Sequence, residues 1–498
     1  MMYSLSFLSS GLFLGWSLGA NHAANVFGPA VGTRMVRFTT AALIASIFVI
    51  LGATISGAGA AQTLGSLGAV NALAGSFTVA LSAALTVFWM TRWKLPVSTS
   101  EAILGAIIGW NFYAGFVTDT HTLTRILLTW VACPVLSAVF AMALYLGIRG
   151  ILLKSNIHIL HLDMLTRTGL IVVGAFGAYS LGANNIANVM GVFVSSNPFS
   201  DLTLFGKVSL SGTQQLFLLG GLAIAVGIFT YSERVIRTVG KDLLRLSPLA
   251  AFVVVLAHSL VLFLFASESL ERFLVQHHLP SVPLVPVSSS QAIIGAIVGI
   301  GLIKRGAGIR FRVLSNIALG WVSTPVIAGI LAFFLLFFVE NVFRQPVYTA
   351  VHLRLDSEVV AELKTVGLYD SGLMNLQKTE FENPEMMKSK LVKSTKLSSS
   401  QIAKITDYCI TGDFRVTEKA LALLEECSAC TEVQLNAVQK LIGKHYDHPW
   451  QLFKDLEGLT PEWRFKEDTV LNREWNNAMS KKRESLLHAF NQMLIRPS

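Results

Sequence analysis

The chain is 498 residues long, 53% hydrophobic and only 14% charged, with a formal net charge of +9. A soluble domain averages about 25% charged residues, so the composition excludes an ordinary soluble protein. Residues 1–353 hold 19 Lys+Arg against 9 Asp+Glu, whereas residues 354–498 hold 20 against 21. The basic excess sits in short loops between apolar runs, where positive-inside bias accounts for it and no nucleic-acid partner is implied.

A membrane helix needs about 20 mostly apolar residues. Such segments fall at about 4–20, 38–58, 70–90, 96–112, 124–147, 168–183, 214–231, 248–266, 286–303 and 314–339. The first has no basic leader and no small-residue cleavage site, and reads as a retained membrane segment. Basic residues follow every odd-numbered segment: Arg34 and Arg37, Arg92 and Lys94, Arg149 and Lys154, Arg234 to Arg245, then Lys304 to Arg312. Those ends are expected on the cytoplasmic side, with the N-terminus and residue 345 outside. A multi-pass protein of the plasma membrane follows, the inner membrane if the source is bacterial.

Near the end of the first segment stands Gly19-Ala20-Asn21-His22-Ala23-Ala24-Asn25-Val26-Phe27-Gly28. Near the end of the sixth stands Gly182-Ala183-Asn184-Asn185-Ile186-Ala187-Asn188-Val189-Met190-Gly191, identical at seven of ten positions. Each reads as a polar, Gly-rich break in an apolar helix, tolerated only where buried in protein or lining a cavity. A second pair follows in the same order. Leu95 to Gly109 (Leu-Pro-Val-Ser-Thr-Ser-Glu and onward) matches Val285 to Gly299 (Val-Pro-Val-Ser-Ser-Ser-Gln and onward) at ten of fifteen positions. A weaker echo joins Trp130 to Pro134 with Trp321 to Pro325. The chain is thus an internal duplication, with repeats over about 1–150 and 165–340. An odd number of crossings per unit predicts that the two are inverted.

Residues 346–498 read as a small α-helical soluble domain after a transmembrane domain of residues 1–345. Lys393 to Ser400 reads as a linker. Helices are predicted over Thr417 to Cys427, Glu432 to Lys444 and Ser480 to Met493, from apolar spacing near 3.6. Cys427 and Cys430 are spaced as a redox or metal pair would be, but no second pair or His cluster accompanies them, so they read as ordinary thiols. Neither a catalytic set nor a metal site is expected, and no resident cofactor.

Pro followed by Ser or Thr favours a helix start. A helix that begins inside the membrane leaves its first N–H groups unpaired and points positive dipole at its cap. With added hydroxyls this makes an anion site without a fixed cation. Ser98, Thr99 and Ser100 are expected to converge with Ser288, Ser289 and Ser290 on one oxyanion. Asn21, Asn25, Asn184 and Asn188 can donate to that anion or offer carbonyl oxygen to a hard cation such as Na⁺. The halves differ at two matched positions, His22 against Asn185 and Glu101 against Gln291. Ionisable groups inside membrane segments are costly and usually functional, so His22 and Glu101 are expected to lie together and to couple transport to protons. His258, alone in its apolar run, reads as a hydrogen-bonded packing residue rather than part of the site.

These motifs resemble those of the inorganic phosphate transporter (PiT) family, whose mark is a duplicated Gly-Ala-Asn-Asp-x-Ala-Asn, each copy followed by a Pro-(Val/Ile)-Ser-Thr-Thr-like hairpin. The resemblance covers about residues 1–345. It implies an all-α polytopic fold of two inverted repeats, with re-entrant hairpins at about 96–112 and 286–303. It also implies a midplane phosphate site and symport driven by H⁺ or Na⁺, with sulfate as an alternative anion and the bilayer as surroundings; a homo-oligomer is left open. By position, Asn21, Asn25, Asn184, Asn188 and the six hydroxyl residues carry over; Asn21, Asn184 and the hydroxyls are assigned to the substrate, and Asn25 and Asn188, together with His22, Glu101, Asn185 and Gln291 of this chain, to ion coupling. This chain departs from the family at the motif aspartate, which is His22 in one copy and Asn185 in the other. A channel or anion sensor with the soluble domain as readout is the reading from another class.

Overall fold

The computed structural model describes the chain except residues 1, 69, 93–96, 200–201, 205–207, 243–245, 305–310, 350, 378, 382–383, 396, 419–420, 422–429, 468 and 491–498. It forms two compact units. The first comprises Met1–Ala114, Thr118–Leu274 and Leu279–Tyr348; the second comprises Gly115–Val117, Val275–His278 and Thr349–Ser498.

The first unit is built on α1 (Met2–Gly32), α2 (Phe38–Ser56), α3 (Ala58–Leu67), α4 (Leu73–Arg92), α5 (Thr99–Ala114) and α6 (Thr120–Lys154). It continues with α7 (Ile159–Met190), α8 (Gly212–Asp242), α9 (Pro248–Ala266), α10 (Glu268–Gln276), α11 (Ser289–Ile303) and α12 (Phe311–Asn341). Among the described residues, seven helices are long and apolar enough to cross a membrane: α2, α4, α6, α7, α8, α9 and α12. The protein is therefore a predominantly helical, multi-pass membrane protein. Local sequence explains several helix starts. The Asp119 carboxylate accepts from the N–H groups of His121 and Thr122 to start α6, and Ser247 caps α9 ahead of Pro248.

Each half packs its helices onto the other half. Motif residue Gly19 of α1 lies so close to α8 that an added Cβ would come within 2.0 Å of the Ile224 carbonyl oxygen; a Cβ added to its counterpart Gly182 of α7 would come within 2.1 Å of Val49 O of α2. The hairpin helices repeat the exchange. A Cβ on Gly105 of α5 would meet Pro325 O of α12 at 2.0 Å, and one on Gly295 of α11 would meet Pro134 O of α6 at 2.2 Å. Only glycine permits such backbone approach between membrane helices. The two motif helices run in opposite directions. Gly11 of α1 lies against Val189 and Met190 of α7, while Phe27 lies against Gly174.

Each of the ten expected apolar segments contains a helix; α1, α6, α7, α8 and α12 run beyond the expected limits, whereas α4, α5 and α11 begin later than expected, at Leu73, Thr99 and Ser289. One expectation is corrected. The Asn-rich motifs do not break their helices, because α1 and α7 run unbroken through them. Two of the asparagines bond back to their own helix, Asn21 Nδ2 donating to Ser17 O at 3.2 Å and Asn185 Nδ2 to Leu181 O at 3.1 Å, and the others reach partners outside it. The backbone irregularity lies at the hairpins instead. Residues 280–288 descend without helix, and Leu284, Val285, Val287 and Ser288 are buried before α11 begins.

The second unit has two apolar cores. One gathers Leu353, Leu363, Leu391, Ile405 and Cys409; the other gathers Phe414, Leu452, Trp463 and Phe490. Short antiparallel pairs, Leu353–Arg354 with Glu380–Phe381 and Phe414–Arg415 with His445–Tyr446, stitch its helices. The expected linker at Lys393 to Ser400 is no linker. Leu397 packs on the first core, and Ser398 forms a capping box with Gln401 at the head of helix Ser399–Tyr408. A serine-rich run serves as a helix cap as readily as a spacer. The predicted helix over Glu432 to Lys444 ends earlier, at Gln439, and the last helix spans Arg473–Phe490. The expected helix from Thr417 to Cys427, and Cys427 itself, lie largely outside the described residues.

Candidate functional site

The site is assembled from the N-termini of α5 and α11. Ser98 Oγ accepts the Glu101 N–H at 3.4 Å, and Ser288 Oγ accepts the Gln291 N–H at 3.3 Å, so each hairpin helix is capped by its own first serine. Both caps are fully buried, as are Thr99 and Ser289. The third hydroxyl of each hairpin reaches across to the backbone of the other. Ser100 Oγ donates to Val287 O at 3.3 Å, and Ser290 Oγ donates to Val97 O at 3.1 Å. These two bonds are equivalent under the duplication and hold the two helix ends together.

The motif helices supply the next layer. Asn188 Nδ2 donates to Ser100 Oγ at 2.8 Å and to Asn185 Oδ1 at 3.1 Å; Asn25 Nδ2 donates to Ser289 Oγ at 3.1 Å. Asn184 pairs with the extended limb at both backbone groups of Val287. Its Nδ2 donates to the carbonyl at 2.7 Å and its Oδ1 accepts the N–H at 3.1 Å. That bidentate contact replaces the missing helical partners of a non-helical residue inside the protein. Asn21, the counterpart of Asn184, is not drawn in. It bonds to Thr91 of α4 at 3.2 Å.

Glu101 and Gln291 meet between the two halves, Gln291 Nε2 donating to Glu101 Oε1 at 2.8 Å. Both are buried. No hydrogen bond or ion pair joins His22 to Glu101. His22 is buried with neither ring nitrogen partnered. The imidazole that does enter the site is His258, the residue read from sequence as packing. Its Nε2 lies 2.9 Å from Ser289 Oγ. A single imidazole in the middle of a 19-residue apolar helix was the available signal, since a buried polar ring requires a partner.

No lysine or arginine takes part in these bonds. The positive potential comes from two helix N-termini and the donors are hydroxyls and amides, a combination that favours an anion with acceptor oxygens. Among the buried oxygens without a partner are four of this site: the Thr99 hydroxyl, Glu101 Oε2, Gln291 Oε1 and Asn188 Oδ1. Oxygen-only groups of this kind suit a hard cation. No cluster of three or more His, Cys, Asp or Glu that could hold a metal ion occurs among the described residues.

The sequence matches the Phosphate transporter family over residues 18–332 and again over 281–431. A candidate phosphate permease of Methanocaldococcus jannaschii is 30% identical over 322 residues, covering 64% of this chain and 93% of that protein. Another from Haemophilus influenzae is 23% identical, covering 67% and 96% respectively. Among solved structures, one described as the sodium-dependent phosphate transporter superposes with a TM-score of 0.54 at 20% identity, covering 68% of this chain and all of that one. That last likeness concerns the fold.

Proposed function

The chain belongs to the phosphate transporter family, and from that premise we propose that it is a secondary active transporter of a small tetrahedral oxyanion, with inorganic phosphate as the substrate and sulfate as the alternative. One observation carries the reading. Two buried helix N-termini, each bearing three hydroxyl residues, are clasped to one another through Ser100 and Ser290. Their anchoring asparagines come from two antiparallel motif helices. This arrangement supports the reading of a midplane site between two inverted repeats.

The anion carries its charge into a site that already holds the Glu101 carboxyl. Binding therefore gains from a cation at that carboxyl, which is the physical basis of symport in this reading. Glu101 Oε2, with Gln291 Oε1 and Asn188 Oδ1, offers either a protonatable oxygen or a ligand set for Na⁺. Both ions remain in the proposal as alternatives, and the experiment separates them. Purified protein in liposomes is given labelled phosphate or sulfate, with a pH gradient or a Na⁺ gradient imposed singly. Accumulation against a gradient is expected with one of the two. Glu101→Gln, which keeps a hydrogen-bonding side chain opposite Gln291, is expected to lower that accumulation at least about tenfold. Wild type that accumulates neither anion contradicts the transport reading. Undiminished accumulation by Glu101→Gln contradicts the assignment of coupling to Glu101.

A further inference from the structure

Ser289 differs from the other site hydroxyls in its partners. Ser100 and Ser290 spend their protons on the carbonyls of the opposite hairpin. Thr99, the counterpart of Ser289 in the first half, is buried with no partner. Ser289 Oγ has two neighbours: Asn25 Nδ2 at 3.1 Å and His258 Nε2 at 2.9 Å. A hydroxyl has two acceptor lone pairs and one proton, and an amide NH₂ can only donate. Asn25 therefore occupies one lone pair. What remains for the anion depends on His258.

The buried surroundings of the ring decide its tautomer. His258 is fully buried, and its Nδ1 has no partner. A proton on Nδ1 would leave a buried N–H without an acceptor, and Nε2 would then consume the Ser289 proton. A proton on Nε2 leaves only a bare lone pair at Nδ1. The other nitrogen's hydrogen bond sets the tautomer of a histidine, and orphaned N–H groups are rarer than under-satisfied acceptors. With the proton on Nε2, Ser289 accepts twice and its own O–H is left without a protein acceptor.

We propose that His258 is a positioning residue for the anion: by donating from Nε2 to Ser289 Oγ, alongside Asn25, it makes Ser289 an obligate donor toward the bound oxyanion. This rests on the oxyanion-transport reading above. It adds a residue that does not touch the substrate and acts through one that does. It also adds a selectivity rule. The second hairpin presents a fixed donor, so the ligand must place a deprotonated oxygen there.

The test is initial-rate uptake of labelled phosphate by the full-length protein in liposomes. His258→Leu removes the donor and frees Ser289 to turn away. Its apparent KM for phosphate is expected to rise about tenfold, the scale of one charge-assisted hydrogen bond, with a smaller change in maximal rate. His258→Gln keeps an N–H at similar reach and is expected to return KM to within about threefold of wild type on the same scale. Because His258 acts only through Ser289, the double variant His258→Leu/Ser289→Ala is expected to be no worse than Ser289→Ala. Additive penalties, no rescue by Gln, or a wild-type KM in His258→Leu each overturn the proposal. If His258→Leu does not insert, His258→Phe, which keeps a ring and lacks the donor, takes its place. Wild type that takes up neither phosphate nor sulfate contradicts the transport reading instead. Phosphate binding to the detergent-purified protein then carries the same comparison of variants.

Discussion

Single residues decide how polar groups survive inside this protein, and they do so by pairing. Asn184 was legible in the sequence as a duplicated polar residue, and the fold uses both ends of its amide on one backbone position, Val287. Asn21 was equally legible and is used elsewhere, on Thr91. Duplication reveals that two residues share an origin; it does not reveal that both copies kept the same partner. The opposite error befell His258, which has no duplicated counterpart to draw attention to it. In the second unit, Asp356 shows the same economy. Its carboxylate caps helix Ser357–Thr365 by accepting from the N–H groups of Glu358 and Val359, and it accepts from His448 Nε2 at 2.8 Å. Burial alone would raise its pKa. The bonds from His448 and Val359 and the nearby Arg354 outweigh burial and hold it below the usual 3.8. A depressed carboxylate contributes stability that is full above the unfolded value and is lost as pH falls through the folded one. Asp356→Ala is expected to cost the second unit about 1 kcal/mol at neutral pH, the worth of an N-cap. Hydrogen exchange on the full-length protein, followed from pH 7 downward, checks this. The difference from wild type is expected to shrink below about pH 4 as Asp356 protonates. A difference that stays constant in acid contradicts it.

At the scale of elements, apolar periodicity located every long helix, because a run of about 20 apolar residues has few alternatives in a membrane. It missed α3 and α10, short helices of mixed composition. It also put the break in the wrong place. A helix interrupted by asparagines and a helix carrying them have the same residue pattern, and only packing distinguishes the two. Here the asparagines face partners on other helices, so α1 and α7 stay whole and the irregular backbone falls in the hairpin limbs. The glycines of the duplicated motifs were read as marks of a break and prove to be contact points between helices. Gly105→Ala and Gly295→Ala are each expected to destabilise the membrane unit by about 1–3 kcal/mol, because the new methyl must displace a backbone carbonyl rather than a flexible side chain. The loss is expected to be similar for both, since the two contacts are equivalent under the duplication. Thermal unfolding in detergent with tryptophan fluorescence reads it. Wild-type melting temperatures for both variants contradict the close approach.

For the whole molecule, the duplicated sequence produces a duplicated set of contacts exchanged between halves. Motif helix α1 packs on α8 while α7 packs on α2, and hairpin helix α5 packs on α12 while α11 packs on α6. Each half contributes one helix N-terminus to the candidate site, and the N-termini of α5 and α11 are proposed to form one oxyanion site. Selenate is a tetrahedral oxyanion whose selenium scatters anomalously, so a crystal of the full-length protein soaked in it locates the anion without reference to transport. An anomalous peak is expected between the two helix ends, within hydrogen-bond reach of Thr99 and Ser289, and is expected to be lost in Ser289→Ala with Thr99→Val. A peak elsewhere in the protein, with none between α5 and α11, contradicts the proposed site.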